Sequence, residues 1–148
     1  MQPSVPPTGV VLAFDFGLRR IGVAAGDTIT RRAAPVTAVH RSGTGPDWRS
    51  IEQLLASYAP RLLVVGSPYN EDGTPGRLST AADEFAAALA TRSGLAVARV
   101  DERWSSVEAG AELKSRRHSG ARRQRVQRAD IDSLAAAIIL ERWLAGET

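Results

Sequence analysis

The apolar positions of this chain switch period several times, and each switch marks an element. Residues 10–16, VVLAFDF, are apolar at almost every position, the pattern of a strand covered on both faces. Gly17, Leu18 and Arg19 interrupt the run. RIGVAAGD then starts at Arg20 and reads as a hairpin partner, and AAPVTAVH, residues 33–40, as a weaker third strand. Together they predict an antiparallel meander. RSGTGP, residues 41–46, reads as a turn or flexible loop. The period then becomes helical: Ile51, Leu54, Leu55 and Tyr58 share a face, Asp47 is placed to cap, and Pro60 stops the helix. RLLVVGSP, residues 61–68, is again solidly apolar, as a buried parallel strand is. YNEDGTPG, residues 69–76, is dense in turn formers. An alanine-rich helix is expected over about Leu78–Arg92, closed by Gly94, and LAVARVDE, residues 95–102, is the next strand. SSVE at 105–108 is a capping box opening a helix to about Leu113. The last helix spans about Ala129–Leu144, with Ile131, Leu134, Ala135, Ile138 and Ile139 on its apolar face. Strands first, then alternating helix and strand, predict an α/β arrangement with a mixed sheet. The expected organisation is a flexible tail at 1–9 and one domain over 10–148.

A length of 148 residues suits such a domain. Cysteine is absent, which excludes disulfides, thiolate catalysis and thiolate metal sites, and fits a reducing compartment. The opening MQPSVPPTGV has neither the basic nor the apolar region of a signal peptide, and no apolar run is long enough to span a bilayer. A cytoplasmic protein without a membrane partner is expected. Net charge is only +3, but its distribution is uneven. From Lys114 to Arg128, KSRRHSGARRQRVQR holds seven Lys/Arg and no acid, and the remainder of the chain is net negative. A local basic block points to a polyanion, which makes Lys114, Arg116, Arg117, Arg122, Arg123, Arg125 and Arg128 candidate nucleic-acid contacts. The plainer reading is a solvated, self-repelling loop, and both can hold.

Acids stand at element ends. Asp15 closes the first strand, Asp101 and Glu102 close a later one, and Asp130 and Asp132 open the last helix. Open α/β sheets place ligands beyond the carboxyl ends of their strands, so acids far apart in sequence can converge there. Carboxylates held close repel, and a divalent cation offsets the repulsion; oxygen ligands of this kind suit Mg2+ or Mn2+. Each acid also has a structural reading. Asp15 could hold its hairpin through backbone N–H groups, Asp101 could pair with Arg103, and Asp130 could serve as a first-turn acid on the helix dipole. For Asp132, periodicity favours neither role. Of the two histidines, His40 and His118, neither sits where this chemistry would use it. No phosphate-binding P-loop, HExxH, GxSxG or zinc-ligand spacing is present.

Four stretches taken together resemble the YqgF/RuvX family of Holliday-junction-resolvase-like nucleases, implicated in maturing the 5′ end of 16S ribosomal RNA. They are AFDFGLRRIGVAAGD from Ala13, VVGSPYNEDGT from Val64, DERWSSVEA from Asp101 and DIDSLAAAIILERWL from Asp130. The resemblance implies an RNase H-like fold, a five-stranded mixed sheet flanked by helices. It places the first catalytic acid on Asp15, the second on the Asp101–Glu102 pair with Glu102 the favoured ligand, and the third on Asp132. Asp101 and Asp130 remain additional candidate ligands. The GSPYNEDGT loop would stand at the mouth of the site, Asn70 and Gly73 match shared positions, and Arg103 matches the arginine of the later motif. Ser67, Tyr69 and Glu71 depart from the apolar residues common in relatives, and Asp130 stands where a basic residue is often found.

The activity implied is Mg2+- or Mn2+-dependent hydrolysis of a phosphodiester in precursor ribosomal RNA, with a branched DNA junction as the alternative substrate. Arg19, Arg20 and Arg103 would lie nearest the bound phosphate, and Asn70 and the basic segment would contact the nucleic acid. A catalytically idle RNA-binding or ribosome-assembly factor is one rival. A nucleotide-binding lobe of the sugar-kinase type is another, although 148 residues leave no room for two lobes. Monomer and homodimer are both open.

Overall fold

Three antiparallel strands at the front of the chain form the meander that the apolar runs predict. The computed structural model describes residues 8–68, 78–102 and 128–146, with the backbone alone at 68, 101, 102, 128 and 129. Strand β1 is Val10–Phe16, β2 Arg20–Asp27 and β3 Ala33–Ser42. A two-residue strand β4, Gly45–Pro46, pairs with the end of β3. Helix α1, Trp48–Tyr58, leads to β5, Leu62–Pro68; helix α2, Ser79–Ser93, leads to β6, Val97–Glu102; and helix α3 is Arg128–Leu144. The sheet order is β4-β3-β2-β1-β5-β6, with β5 and β6 parallel to β1.

The sheet has the five long strands expected, with the two-residue β4 as a sixth at its edge. Residues 41–46 form the expected turn, and it closes a hairpin that pairs Arg41 with Pro46 and Ser42 with Gly45. Its tight turn is braced by the Ser42 and Thr44 hydroxyls, 2.9 Å apart. A two-residue strand has no hydrophobic period for the sequence to display. The tail at 1–7, the 69–77 loop, the helix expected over Ser105–Leu113 and the basic segment up to residue 127 lie outside the described residues.

Local chemistry sets the element ends. Asp47 caps α1, accepting from the Ser50 N–H at 3.2 Å and the Ser50 hydroxyl at 2.7 Å. Ala59 takes the left-handed conformation, φ 45°, and Pro60 follows it.

The alternation along β1 sorts the core into two layers. Leu12, Phe14 and Phe16 face α1 and α2, joining Ile21, Val23, Leu63, Val65, Ile51, Phe85 and Leu89. Phe85 lies 5.8 Å from Phe14, 5.2 Å from Phe16 and 5.4 Å from Trp48 between ring centres. Val11 and Ala13 face the other way, toward Ala24, Val64, Val100 and the α3 residues Leu134, Ala135, Ala136, Ile139 and Leu140. This second layer is built of smaller side chains, so α3 lies close against the sheet.

Candidate active site

Continuing that alternation by one step places Asp15 on the α3 side of β1. Its register partners are Gly22 on β2 and Gly66 on β5, so the acid stands between two residues without side chains. Helix α3 excludes a side chain at Gly22 and crowds one at Gly66. A Cβ at Gly22 would fall 2.0 Å from the carbonyl oxygen of Asp132, and one at Gly66 would meet the Ile139 side chain at 3.2 Å. Helix α3 therefore rests on the sheet at Asp132, just past its first turn, and brings that acid near Asp15. Folding joins two acids from opposite ends of the sequence through backbone contact, not through a motif.

The electrostatics register this approach. Asp15 is half-buried, and its pKa is pushed up to about 7, first by burial and then by the charge of Asp132. Among the described residues its carboxylate has no hydrogen-bond or ion-pair partner. Asp132 has one: Arg20 Nε donates to its Oδ2 at 2.6 Å, with each side chain 23% exposed. Of these two hard-oxygen donors only Asp132 is paired with a guanidinium among the described residues, and the positive end of a helix lies beside them. That donor set fits a small divalent cation. No group of three metal-capable side chains occurs among the described residues.

The Asp101–Glu102 pair enters through its backbone. Glu102 ends β6 opposite Pro68, two residues beyond Val100, and Val100 lies in the row of Gly66. Ala98 and Val100 belong to the α3-side layer, and Glu102 shares their strand parity. Asp101 shares that of Val97, which packs on the opposite layer. Asp130 occupies the first turn of α3, and its carbonyl accepts from the Ser133 hydroxyl at 3.2 Å.

The chain belongs to the RuvX family. The family model described as RuvX: Holliday junction resolvase matches residues 9–146. A protein of Nitrosococcus oceani, provisionally named a pre-16S rRNA nuclease, is 44% identical over 142 residues, covering 96% of this chain and 90% of the relative. One of Pectobacterium carotovorum with the same provisional name is 43% identical, covering 93% and 96%. Among solved structures, the yeast mitochondrial Holliday junction resolvase Ydc2 superposes with a TM-score of 0.55 at 12% identity, covering 97% of this chain and 80% of that one. Thermus thermophilus RuvC superposes at 0.52 and 15%, covering 93% and 95%. The fold is RNase H-like, as the resemblance implies.

The remaining candidate residues of this RuvX-family chain fall into three groups. Arg19 is exposed on the β1–β2 turn. Arg20, a candidate phosphate contact, pairs with Asp132. Asn70, Arg103, Lys114, Arg116, Arg117, Arg122, Arg123 and Arg125 lie outside the described residues, and Arg128 is seen only as the backbone that opens α3.

Two residues were missed by sequence reasoning. Arg41 fixes the turn that carries Arg19: its guanidinium donates to the Gly17 and Leu18 carbonyls at 3.1 and 2.6 Å and lies 4.4 Å over the Phe16 ring. Arg99 explains the departure at Ser67. That hydroxyl is fully buried, and Arg99 donates to it at 2.9 Å while also reaching Asp83 at 2.8 Å and the Val100 carbonyl at 2.8 Å. A polar residue in an apolar position is thus supplied with a partner. No sequence signal pointed to Arg41. Gly22 and Gly66, as glycines inside apolar strands, carried the usual sign of close approach.

Proposed function

We propose that this chain is a divalent-metal-dependent nuclease that hydrolyses phosphodiester bonds, acting at the 5′ end of precursor 16S ribosomal RNA as its relatives' names indicate. The observation that carries this reading is the Asp15 carboxylate: half-buried, without a described partner, and near enough to Asp132, whose backbone lies against Gly22, to feel its charge. A buried acid pair of this kind is costly unless a cation joins it. Asp15 and Asp132 would hold Mg2+ or Mn2+, with Glu102 as the third carboxylate on the strength of its strand parity.

The bound metal would supply Lewis acidity toward a phosphoryl oxygen and a water made nucleophilic near neutral pH. The chain's own part is to hold the acids preorganised. Asp15 must release its proton to serve as a ligand, so the working form lies above about pH 7 in the metal-free protein. Arg19, on a turn stiffened by Arg41, offers a positive charge at the edge of the site to a phosphate backbone. The basic residues from Lys114 to Arg128 would add affinity without sequence selectivity.

The test is cleavage by the pure protein in Mg2+ or Mn2+ of precursor 16S RNA, a four-way DNA junction and plain duplexes, beside Asp15→Asn. Cutting of the RNA by the wild type alone is the expected result. Preferential cutting of the junction would reassign the substrate. Binding without any cutting would make the chain an assembly factor, and cutting that persists in Asp15→Asn would place the chemistry elsewhere.

A further inference from the structure

We propose that Arg20 is a resident counter-cation of the acidic pair: it occupies an oxygen of Asp132 in the metal-free protein and must yield it when a divalent cation binds. This rests on the reading of Asp15 and Asp132 as metal ligands.

Three features place Arg20 in this role. Its Nε meets Asp132 Oδ2 at 2.6 Å across 112 residues of sequence, and both side chains are largely shielded from water. Its backbone is held independently of that contact. The Arg20 carbonyl accepts from the Gly17 N–H at 3.0 Å, and the residue pairs with His40 in the β2–β3 ladder. The guanidinium can therefore leave Asp132 by side-chain rotation while β2 stays in place. Third, the neutralisation is incomplete. One arginine serves one carboxylate, and Asp15 has no described cation of its own.

A metal that draws on both acids brings two positive charges close to a third. At these distances and partial burial the guanidinium and the metal repel, so the ion pair competes with metal by mass action. The device keeps Asp132 in place and α3 seated on the sheet before metal arrives, at the expense of some metal affinity.

The first measurement uses the unaltered full chain. The Arg20 Nε–H resonance, assigned by its disappearance in Arg20→Lys, is followed through a Mg2+ titration. The expected result is a paired resonance in EDTA that moves to the position of a solvated arginine as Mg2+ saturates. A resonance unchanged at saturation overturns the proposal. The second measurement is Mn2+ affinity, from the electron paramagnetic resonance of free Mn2+, together with melts in EDTA. Arg20→Gln keeps a donor but removes the charge; it should bind Mn2+ up to about fivefold more tightly, the equivalent of one ion pair, and melt lower without metal. Arg20→Lys, which retains the charge, should stay nearer the wild type. Equal affinity in Arg20→Gln would reduce Arg20 to a fastener of α3, and weaker affinity would make it an orienting partner; either overturns competition. A wild type that binds no Mn2+, or an Asp15→Asn variant that binds it equally well, instead overturns the metal reading itself.

Discussion

The two faces of the sheet are built for different ends. On the α1–α2 side, Phe14, Phe16, Phe85 and Trp48 fill the layer with large rings, and stability there comes from buried area. On the α3 side the positions around Asp15 are Gly22, Ala24, Ala13 and Gly66, and the helix answers with Ala135, Ala136 and Ala137. Small residues there bury less per position but let a helix backbone touch a strand. The difference teaches that closeness, not volume, creates the site. An acid pair can be held only where the layer around it is thin.

The sharpest way to break this contrast is Gly22→Ala. A single methyl would meet backbone 2.0 Å away, which no side-chain rotation relieves, so α3 must lift from the sheet. Loss of the cooperative melt, or a drop exceeding that of any single core truncation, is expected by circular dichroism. Gly43→Ala, where a Cβ meets nothing within 4 Å, is the control and should melt like the wild type.

On the opposite face Phe85→Ala should cost about 3–5 kcal/mol by denaturant titration, the usual range for a buried aromatic. While the variant stays folded, its Mn2+ affinity should match the wild type. Impaired metal binding at temperatures where it is folded would mean that the two faces are not separable.

The smallest effect concerns pH. Asp15 titrates near 7 in the folded metal-free chain, against an ordinary value of 3.8. The folded state therefore favours the protonated acid. Its contribution to stability is complete below about pH 4 and is lost as pH rises through about 7. In EDTA the melting temperature of the wild type should fall relative to Asp15→Asn between pH 5 and 8. A constant difference between the two would remove the burial argument. With Mn2+ present the sign reverses for binding, and affinity should rise with pH to a plateau above about 7.

Much of this arrangement was legible in the sequence, and the reasons differ by element. Strands β1 and β5 announced themselves because both faces are covered, which forces unbroken apolar runs. Helix α1 was legible through Asp47 and its 3.6-residue spacing. Strand β4 was not, since two paired residues leave no period. Periodicity could not separate Asp130 from Asp132 either; what sets Asp132 apart is a contact between distant segments, its backbone lying against Gly22. The pairing of Arg20 with Asp132 was not legible. A free cation and a paired one look alike in sequence. Arg41 was invisible because it acts through carbonyls more than twenty residues upstream.

The most direct measurement is an anomalous difference map from crystals of the full chain grown with Mn2+ at pH 8, where Asp15 is ionised. A peak coordinated by both Asp15 and Asp132 is the predicted result. Crystals saturated with Mn2+ that show no density between these two carboxylates, or that hold the ion elsewhere, would contradict it.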